Sequence, residues 1–200
     1  FEGGEGAGKS TQIRSLADRL TSAGFDVVLT REPGGSPGAE TIRELLVNGE
    51  ADRWSSVTET LLMYAARRDH LERVIRPALD RGAIVLCDRF SDSTRASQGA
   101  GGDAPASLIA ALEDHVLAGS IPDLTLVFDI PAALGLERAA NRGGAARFES
   151  KGLDFHERLR AGFLTIAQRE PTRCVVIDAA DTPQAVFDSV WDAVSTRFDL

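Results

Sequence analysis

The stretch FEGGEGAGKSTQ, residues 1–12, decides the fold, because a glycine-rich loop is followed at once by a lysine, two hydroxyls and a helix. Gly3, four further residues, and then Gly8, Lys9 and Ser10 fit the G-x-x-x-x-G-K-[ST] pattern of phosphate-binding loops. Glycines let the backbone turn its N–H groups toward one centre, which the positive end of the following helix also faces. We therefore predict a phosphate site between a first strand and a first helix.

The side chains of this loop predict which phosphates it binds. Lys9 would bring its ammonium to the β- and γ-phosphates of ATP, and the Ser10 hydroxyl would ligate Mg²⁺. A glycine-rich turn before an amphipathic helix would explain the glycines, but it leaves Lys9 and Ser10 without a reason. The predicted ATP-binding residues of the loop are Gly3, Gly4, Glu5, Gly6, Ala7, Gly8, Lys9, Ser10 and Thr11.

Short apolar runs alternate with segments of helical periodicity along the rest of the chain. Continuous apolar strands separated by helices indicate a parallel sheet that is covered on both faces. We expect an α/β, P-loop three-layer fold with a five-stranded parallel sheet, built as one domain over residues 1–200. After the first strand, the strands are predicted at residues 26–30, 83–87, 124–129 and 174–178.

Charge and composition exclude some classes of function. The net charge of −8 argues against a broad nucleic-acid surface, which would carry an excess of positive charge. The chain contains no apolar run near ~18 residues, so we expect no membrane span. Cys87 and Cys174 lie in apolar, strand-like runs without metal-binding spacing, which favours reduced thiols and a cytoplasmic protein.

Charged residues follow the predicted strands, at the edge where such folds bind ligands. Asp88 ends an apolar strand, as does the magnesium-side carboxylate of phosphate-loop enzymes. Arg89 follows directly and suggests a second phosphate near the metal, although a salt bridge at a strand end is the alternative. Arg67 and Arg68 are adjacent in a helical segment, and their spacing alone slightly favours the surface for either one.

Arginines and glycines are concentrated in the segment RAANRGGAARFESKG. Arg138, Arg142 and Arg147 surround two glycines between helical segments, which suggests a mobile, basic lid over about residues 142–153. A solvated surface loop is the alternative. Two phosphate sites and a lid imply transfer between two phosphorylated ligands. No catalytic base motif is needed, because a phosphate monoester with a second pKa near ~6 is already ionised at neutral pH.

Five further short motifs are similar, in their order and spacing, to those of a known protein family: TREPGG, YAARR, DRFSDSTRASQG, PDLTLVFD and RFES. Together with the phosphate loop, the chain resembles the bacterial-type thymidylate kinase family over essentially its whole length. The resemblance implies transfer of the γ-phosphoryl group of Mg-ATP to dTMP, giving ADP and dTDP for DNA precursor synthesis. It also implies a homodimer, with ATP and dTMP as the only small-molecule partners.

The resemblance assigns roles in the acceptor site by position. Glu5 would lie near the sugar 3′-hydroxyl, Arg89 would hold the dTMP phosphate, and Arg67 would reach the thymine edge. Thr94 and Gln98 match base-contacting positions in a loop after the DRF triplet. The full set of dTMP-binding residues that it implies is Glu5, Arg31, Pro33, Arg43, Met63, Arg67, Arg89, Thr94 and Gln98.

The remaining assignments concern catalysis and two departures from the family pattern. Arg138 would lie near the adenine, and Asp88 would join Ser10 as a magnesium ligand. Met63 stands where the family usually stacks a phenylalanine on thymine, and Ser97 replaces a usual aromatic beside the sugar. The catalytic residues implied are Lys9, Arg89, Arg142 and Arg147.

Four other classes of function compete with this one. A kinase for another nucleoside monophosphate would share the mechanism and differ only in the base pocket. A GTPase needs an N-K-x-D motif and a transport ATPase an L-S-G-G-Q-type signature, and the sequence contains neither. A module that only binds nucleotides would not explain Arg89 or the arginines of the lid.

Overall fold

Strands and helices alternate along the chain, as the sequence predicts. A computed structural model describes residues 1–50, 52–141 and 151–200, and these contain five strands and nine helices. The strands are β1 (Glu2–Gly3), β2 (Val27–Arg31), β3 (Ile84–Asp88), β4 (Thr125–Asp129) and β5 (Cys174–Asp178). The helices are α1 (Lys9–Ser22), α2 (Pro37–Val47), α3 (Ser56–His70), α4 (Arg76–Asp80), α5 (Ser91–Thr94), α6 (Ala106–Leu117), α7 (Ala132–Ala140), α8 (Leu153–Arg169) and α9 (Pro183–Phe198).

The five strands are all parallel, but the prediction of one continuous five-stranded sheet was wrong. The structure has a three-stranded sheet in the order β1-β4-β5 and a separate pair formed by β2 and β3. The two sheets meet at Phe1, whose amino group donates to Cys87 O at 2.9 Å and whose carbonyl accepts from Arg89 N at 2.9 Å. These two bonds connect the β2–β3 pair to β1, the edge strand of the three-stranded sheet.

Helices cover both faces of the sheet, which agrees with a three-layer arrangement. Alternate side chains of a strand point to opposite faces. Leu126 of β4 packs in a core cluster with Leu16 of α1 and Val190 of α9. The next residue, Val127, packs in another cluster with Phe163 of α8. In the described ranges, no helix is long and apolar enough to cross a membrane.

The segment after β3 is helical, whereas the sequence predicted a loop. Helix α5 continues into a π-helical turn over Arg95–Ala100. Serine, aspartate and glycine are typical of loops, so local preference gave no helical signal. Tertiary contacts stabilise the helix instead: the buried Glu2 carboxylate accepts hydrogen bonds from Phe90 N at 2.7 Å and Ser93 N at 3.1 Å.

Candidate active site

The phosphate loop connects β1 to α1 and is shaped by glycines with positive φ. Gly8 has φ 83° directly before Lys9, the first residue of α1. At Gly6 φ is 69°, and a Cβ there would collide with the Gly135 carbonyl of α7. Within the described residues no side chain caps α1, so its first turn faces the loop with its dipole uncompensated. The loop therefore has the geometry of an anion site.

Lys9 lies folded back onto its own loop. Its Nζ donates to Gly3 O at 3.0 Å and Gly4 O at 2.7 Å, and only 6% of the residue is exposed. Burial, followed by repulsion from Arg89, lowers the pKa of Lys9 from 10.5 to about 8. Carbonyl oxygens bind this buried ammonium, and phosphate oxygens, which are charged, would bind it more strongly.

Ser10 and Asp88 come together although they are far apart in the sequence. The Ser10 hydroxyl donates to Asp88 Oδ2 at 2.9 Å, which joins the start of α1 to the end of β3. A hydroxyl and a carboxylate oxygen are ligands that Mg²⁺ accepts, and phosphate oxygens and water complete its shell in such sites. Among the described residues, no group of three or more histidine, cysteine or acidic side chains could hold a metal. The residues present therefore fit a magnesium ion shared with a nucleotide.

A cavity opens beside the phosphate loop, at the carboxyl ends of β2 and β3. Asp88, the predicted metal ligand, lines it together with all nine residues predicted to bind dTMP, and so does Ser97. The nine residues come from the phosphate loop, from β2 and the segment after it, from α2 and α3, and from the segment after β3. The fold thus brings residues from six regions of the sequence to one concave surface.

Arg89 lies at the floor of this cavity. Its Nη2 donates to Glu5 Oε1 at 2.6 Å, and its Nη1 donates to Gly3 O at 3.1 Å and Ser93 Oγ at 3.2 Å. Arg89 also has φ 69°, a strained value for a residue with a side chain. Burial would lower its pKa, but Glu5 and then Asp88 raise it above the ordinary value. The cation is therefore permanent and lies next to the metal pair.

Arg67 is a buried cation in the same cavity. The sequence spacing slightly favoured a surface position for either Arg67 or Arg68. This prediction was wrong for Arg67, which is 2% exposed, and it was right for Arg68, whose side chain is 42% exposed. Arg67 Nε donates to Glu32 Oε2 at 2.7 Å, and Nη2 donates to Phe90 O and Thr94 Oγ1. No residue of the described part of the chain accepts a hydrogen bond from Nη1. Burial would lower the Arg67 pKa, but Glu32 raises it.

Gln98 also lines the cavity, one turn after Thr94. The prediction that both lie in a loop was wrong, since Thr94 ends α5 and Gln98 lies in the π-helical turn. Both side chains are buried and line the cavity. Gln98 Nε2 donates to Glu59 Oε1 at 3.0 Å, which orients the amide so that Oε1 has no partner in the described ranges.

Comparison with known proteins decides the family. The model of the family described as "Thymidylate kinase" matches residues 1–190. The chain is 76% identical to a thymidylate kinase of Caulobacter vibrioides, over 100% of this chain and 96% of that protein. The chain belongs to the thymidylate kinase family. It is also 53% identical to a thymidylate kinase of Bradyrhizobium sp. (strain ORS 278), over 98% of this chain and 88% of that protein.

The fold agrees with this family. A crystal structure of thymidylate kinase from Ehrlichia chaffeensis superposes with a TM-score of 0.80 at 35% identity. The superposition covers 97% of this chain and 96% of that one. The shared fold therefore extends over nearly the whole chain and includes the elements that carry the cavity.

The other predicted arginines occupy different places around the cavity. Arg31 is exposed and pairs with Glu40 at 3.2 Å, whereas the half-buried Arg43 donates to Pro33 O at 2.6 Å. Arg138 of α7 donates to two carbonyls after β5, outside the cavity. The predicted lid arginines, Arg142 and Arg147, lie outside the described residues.

The sequence did not single out several residues that line this cavity. Glu32 lines the cavity and binds Arg67, and its place directly after β2 was the signal available. Phe155, His156 and Leu159 of α8 form another wall. Their helical periodicity predicts a buried face, but it cannot show that this face borders a cavity.

Proposed function

We propose that this chain transfers the γ-phosphoryl group of Mg-ATP to dTMP, giving ADP and dTDP for DNA precursor synthesis. Thymidylate kinase activity is the activity of its family, with close relatives over the full chain. One observation carries the residue-level proposal: Ser10 at the phosphate loop contacts Asp88, and Asp88 lines the neighbouring cavity together with the cation Arg89. Two phosphates bound on either side of Asp88 would meet there.

On the donor side, the loop of residues 3–8, with Lys9, Ser10 and Thr11, would bind the triphosphate of ATP. Lys9 would exchange two carbonyl partners for β- and γ-phosphate oxygens, which bind an ammonium more strongly. Ser10 and Asp88 would hold Mg²⁺, which neutralises charge on the phosphates when bound. Arg138 would lie toward the adenine.

On the acceptor side, two unused hydrogen-bonding atoms specify the base. Arg67 Nη1 is a donor and Gln98 Oε1 is an acceptor, and both have no partner in the described part of the chain. The pyrimidine edge of thymine offers an acceptor at O4 next to a donor at N3. Cytosine presents the reverse pattern, a donor at N4 and an acceptor at N3. Pairing of these two groups with the base would therefore suit thymine, and with cytosine it would leave buried groups unpaired.

Around the reacting phosphates, arginines would supply the charge. Arg89 would bind the dTMP phosphate, and Glu5, its partner at 2.6 Å, would face the sugar. Arg31 and Arg43 would contribute weaker contacts from the phosphate side. We further propose that Arg142 and Arg147, in a lid over about residues 142–153, stabilise charge on the transferred group. Their support is the sequence pattern alone.

We also propose that the protein is a cytoplasmic homodimer. Val57 and Leu61 lie one turn apart on α3 and are 39% and 47% exposed, and Leu45 of the adjacent α2 is 38% exposed. An apolar patch of this kind is typical of a surface between protein copies. Both cysteines are free thiols, which is the usual state in the cytosol.

Comparison of acceptors tests the proposed function. We expect a kcat/KM for dTMP that exceeds the value for dCMP by ~10²-fold or more, because a mismatched edge leaves buried polar groups unpaired. The acceptor dUMP shares the same edge and should lie between them, while dGMP should be poor. Equal turnover of dCMP or dGMP would refute the assignment of the base pocket.

A further inference from the structure

A chain of hydrogen bonds leads from Arg67 through Glu32, which also lines the cavity, to His70, which does not. Arg67 Nε donates to Glu32 Oε2 at 2.7 Å, and Glu32 Oε1 lies 3.1 Å from His70 Nδ1. His70 Nε2 lies 2.7 Å from Thr30 Oγ1. The exposed fractions are 2% for Arg67, 5% for Glu32 and 0% for His70, so water does not compete for these bonds. The chain joins α3 to β2 and to the segment after it.

The partners determine the direction of each hydrogen bond. The Glu32 carboxylate accepts from the Arg67 guanidinium at Oε2 and offers Oε1 as a second acceptor. His70 Nδ1 must therefore carry the hydrogen that Glu32 Oε1 accepts. In the neutral ring Nε2 is then the acceptor, and the Thr30 hydroxyl donates to it. The sequence analysis assigned His70 no chemistry, but the structure gives both of its ring nitrogens a partner.

The surroundings are shaped to hold this ring in place. A Cβ at Gly35 would collide with His70 and with Thr30 Oγ1, so glycine there leaves the space that the imidazole fills. Gly35 has φ 88°, a conformation that glycine adopts readily. Glu32 is fixed at both carboxylate oxygens, by Arg67 on one side and His70 on the other. A carboxylate bound at only one oxygen could rotate and carry the guanidinium with it.

We propose that His70 is a positioning residue of the acceptor site, which acts through Glu32 to hold the Arg67 guanidinium in its place beside the cavity. This inference rests on the proposed function, since it assumes that Arg67 contacts the nucleobase. His70 does not line the cavity and is not expected to touch either substrate. Its loss should therefore weaken binding of the acceptor and leave the donor side unchanged.

Two substitutions of similar size separate the two ring nitrogens. His70→Asn keeps an N–H donor near the position of Nδ1, facing Glu32, and loses the contact with Thr30. His70→Gln places its amide near the position of Nε2, facing Thr30, and leaves Glu32 Oε1 without a donor. Because a buried, unpaired carboxylate oxygen disturbs the Arg67 contact, the KM for dTMP should rise about tenfold in His70→Gln. In His70→Asn it should stay within about threefold of wild type.

The test measures kcat and the KM values for dTMP and ATP, with equilibrium binding of dTMP by calorimetry on the same samples. We expect unchanged kcat and KM for ATP in both variants, and weaker dTMP binding only in His70→Gln. His115→Gln, on the exposed face of α6, is the matched control and should change nothing. Equal KM values for dTMP in the two His70 variants, or losses shared by kcat and both substrates, would overturn the proposal. The proposed function fails separately, if wild type itself does not phosphorylate dTMP.

Discussion

Lys9 should make the ligand-free protein less stable at neutral pH than at alkaline pH. Its ammonium is buried against carbonyl oxygens and near Arg89, and its pKa falls from 10.5 to about 8. Since a tenfold change in proton affinity corresponds to ~1.4 kcal/mol, keeping Lys9 charged at neutral pH destabilises the native state by about 3 kcal/mol.

The sign follows from proton binding. Stability rises with pH wherever the unfolded state binds more protons than the native state. Above about pH 8 the native Lys9 loses its proton, while the unfolded chain keeps it up to about 10.5. The destabilisation is thus complete below about pH 8 and declines above it. Between about pH 7 and about pH 9.5 the contribution of Lys9 should change by ~2 kcal/mol in favour of the native state.

Urea unfolding of wild type and Lys9→Met, followed by tryptophan fluorescence at both pH values, measures this change. Lys9→Met keeps an unbranched apolar stem and removes the ionisable group. Other groups titrate equally in the two proteins, so the difference between the two pH dependences isolates Lys9. Wild type should gain about 2 kcal/mol relative to Lys9→Met on going to the higher pH. Parallel pH dependences would refute the claim that the loop holds a desolvated ammonium.

Three kinetic predictions accompany this one. Lys9→Ala should lower kcat at saturating ATP by ~10²–10³-fold, because a preorganised charge is lost. Near-normal turnover would show that Lys9 takes no part in catalysis. Arg142→Ala and Arg147→Ala should each lower kcat more than they raise the KM for dTMP, because the proposed contact forms only in the transition state. A raised KM with unchanged kcat would contradict the proposed role of the lid. Ser97→Tyr should increase the ratio of kcat/KM for dTMP over ribothymidine monophosphate, by about 10²-fold or less, since serine leaves room for a 2′-hydroxyl. An unchanged ratio would show that Ser97 does not face the sugar.

Local chemistry explains which parts of the site could be predicted from the sequence. The conformation of the phosphate loop follows from its own glycines, so Lys9 and Ser10 could be placed without knowledge of the rest of the chain. Parallel strands bring their carboxyl ends to one edge, which brought Asp88 to the phosphate loop. In both cases the relevant interactions lie within one motif or follow from the topology.

Long-range partners explain what could not be predicted. Arg67 and Arg68 are equivalent in local sequence, and Arg67 is held in the interior by partners distant in the chain: Glu32, Phe90 and Thr94. Helix α5 depends on Glu2, more than 80 residues earlier in the chain. None of these partners leaves a periodic signal.

Transfer of the γ-phosphoryl group between two bound nucleotides is the central claim, and one measurement tests it most directly. The protein is incubated with Mg-ATP labelled in the γ-phosphate, with and without dTMP, and the labelled products are separated. The label should appear in dTDP in step with ADP formation, with little inorganic phosphate and almost no turnover when dTMP is left out. Label recovered mainly as inorganic phosphate, at a rate independent of dTMP, would contradict the account.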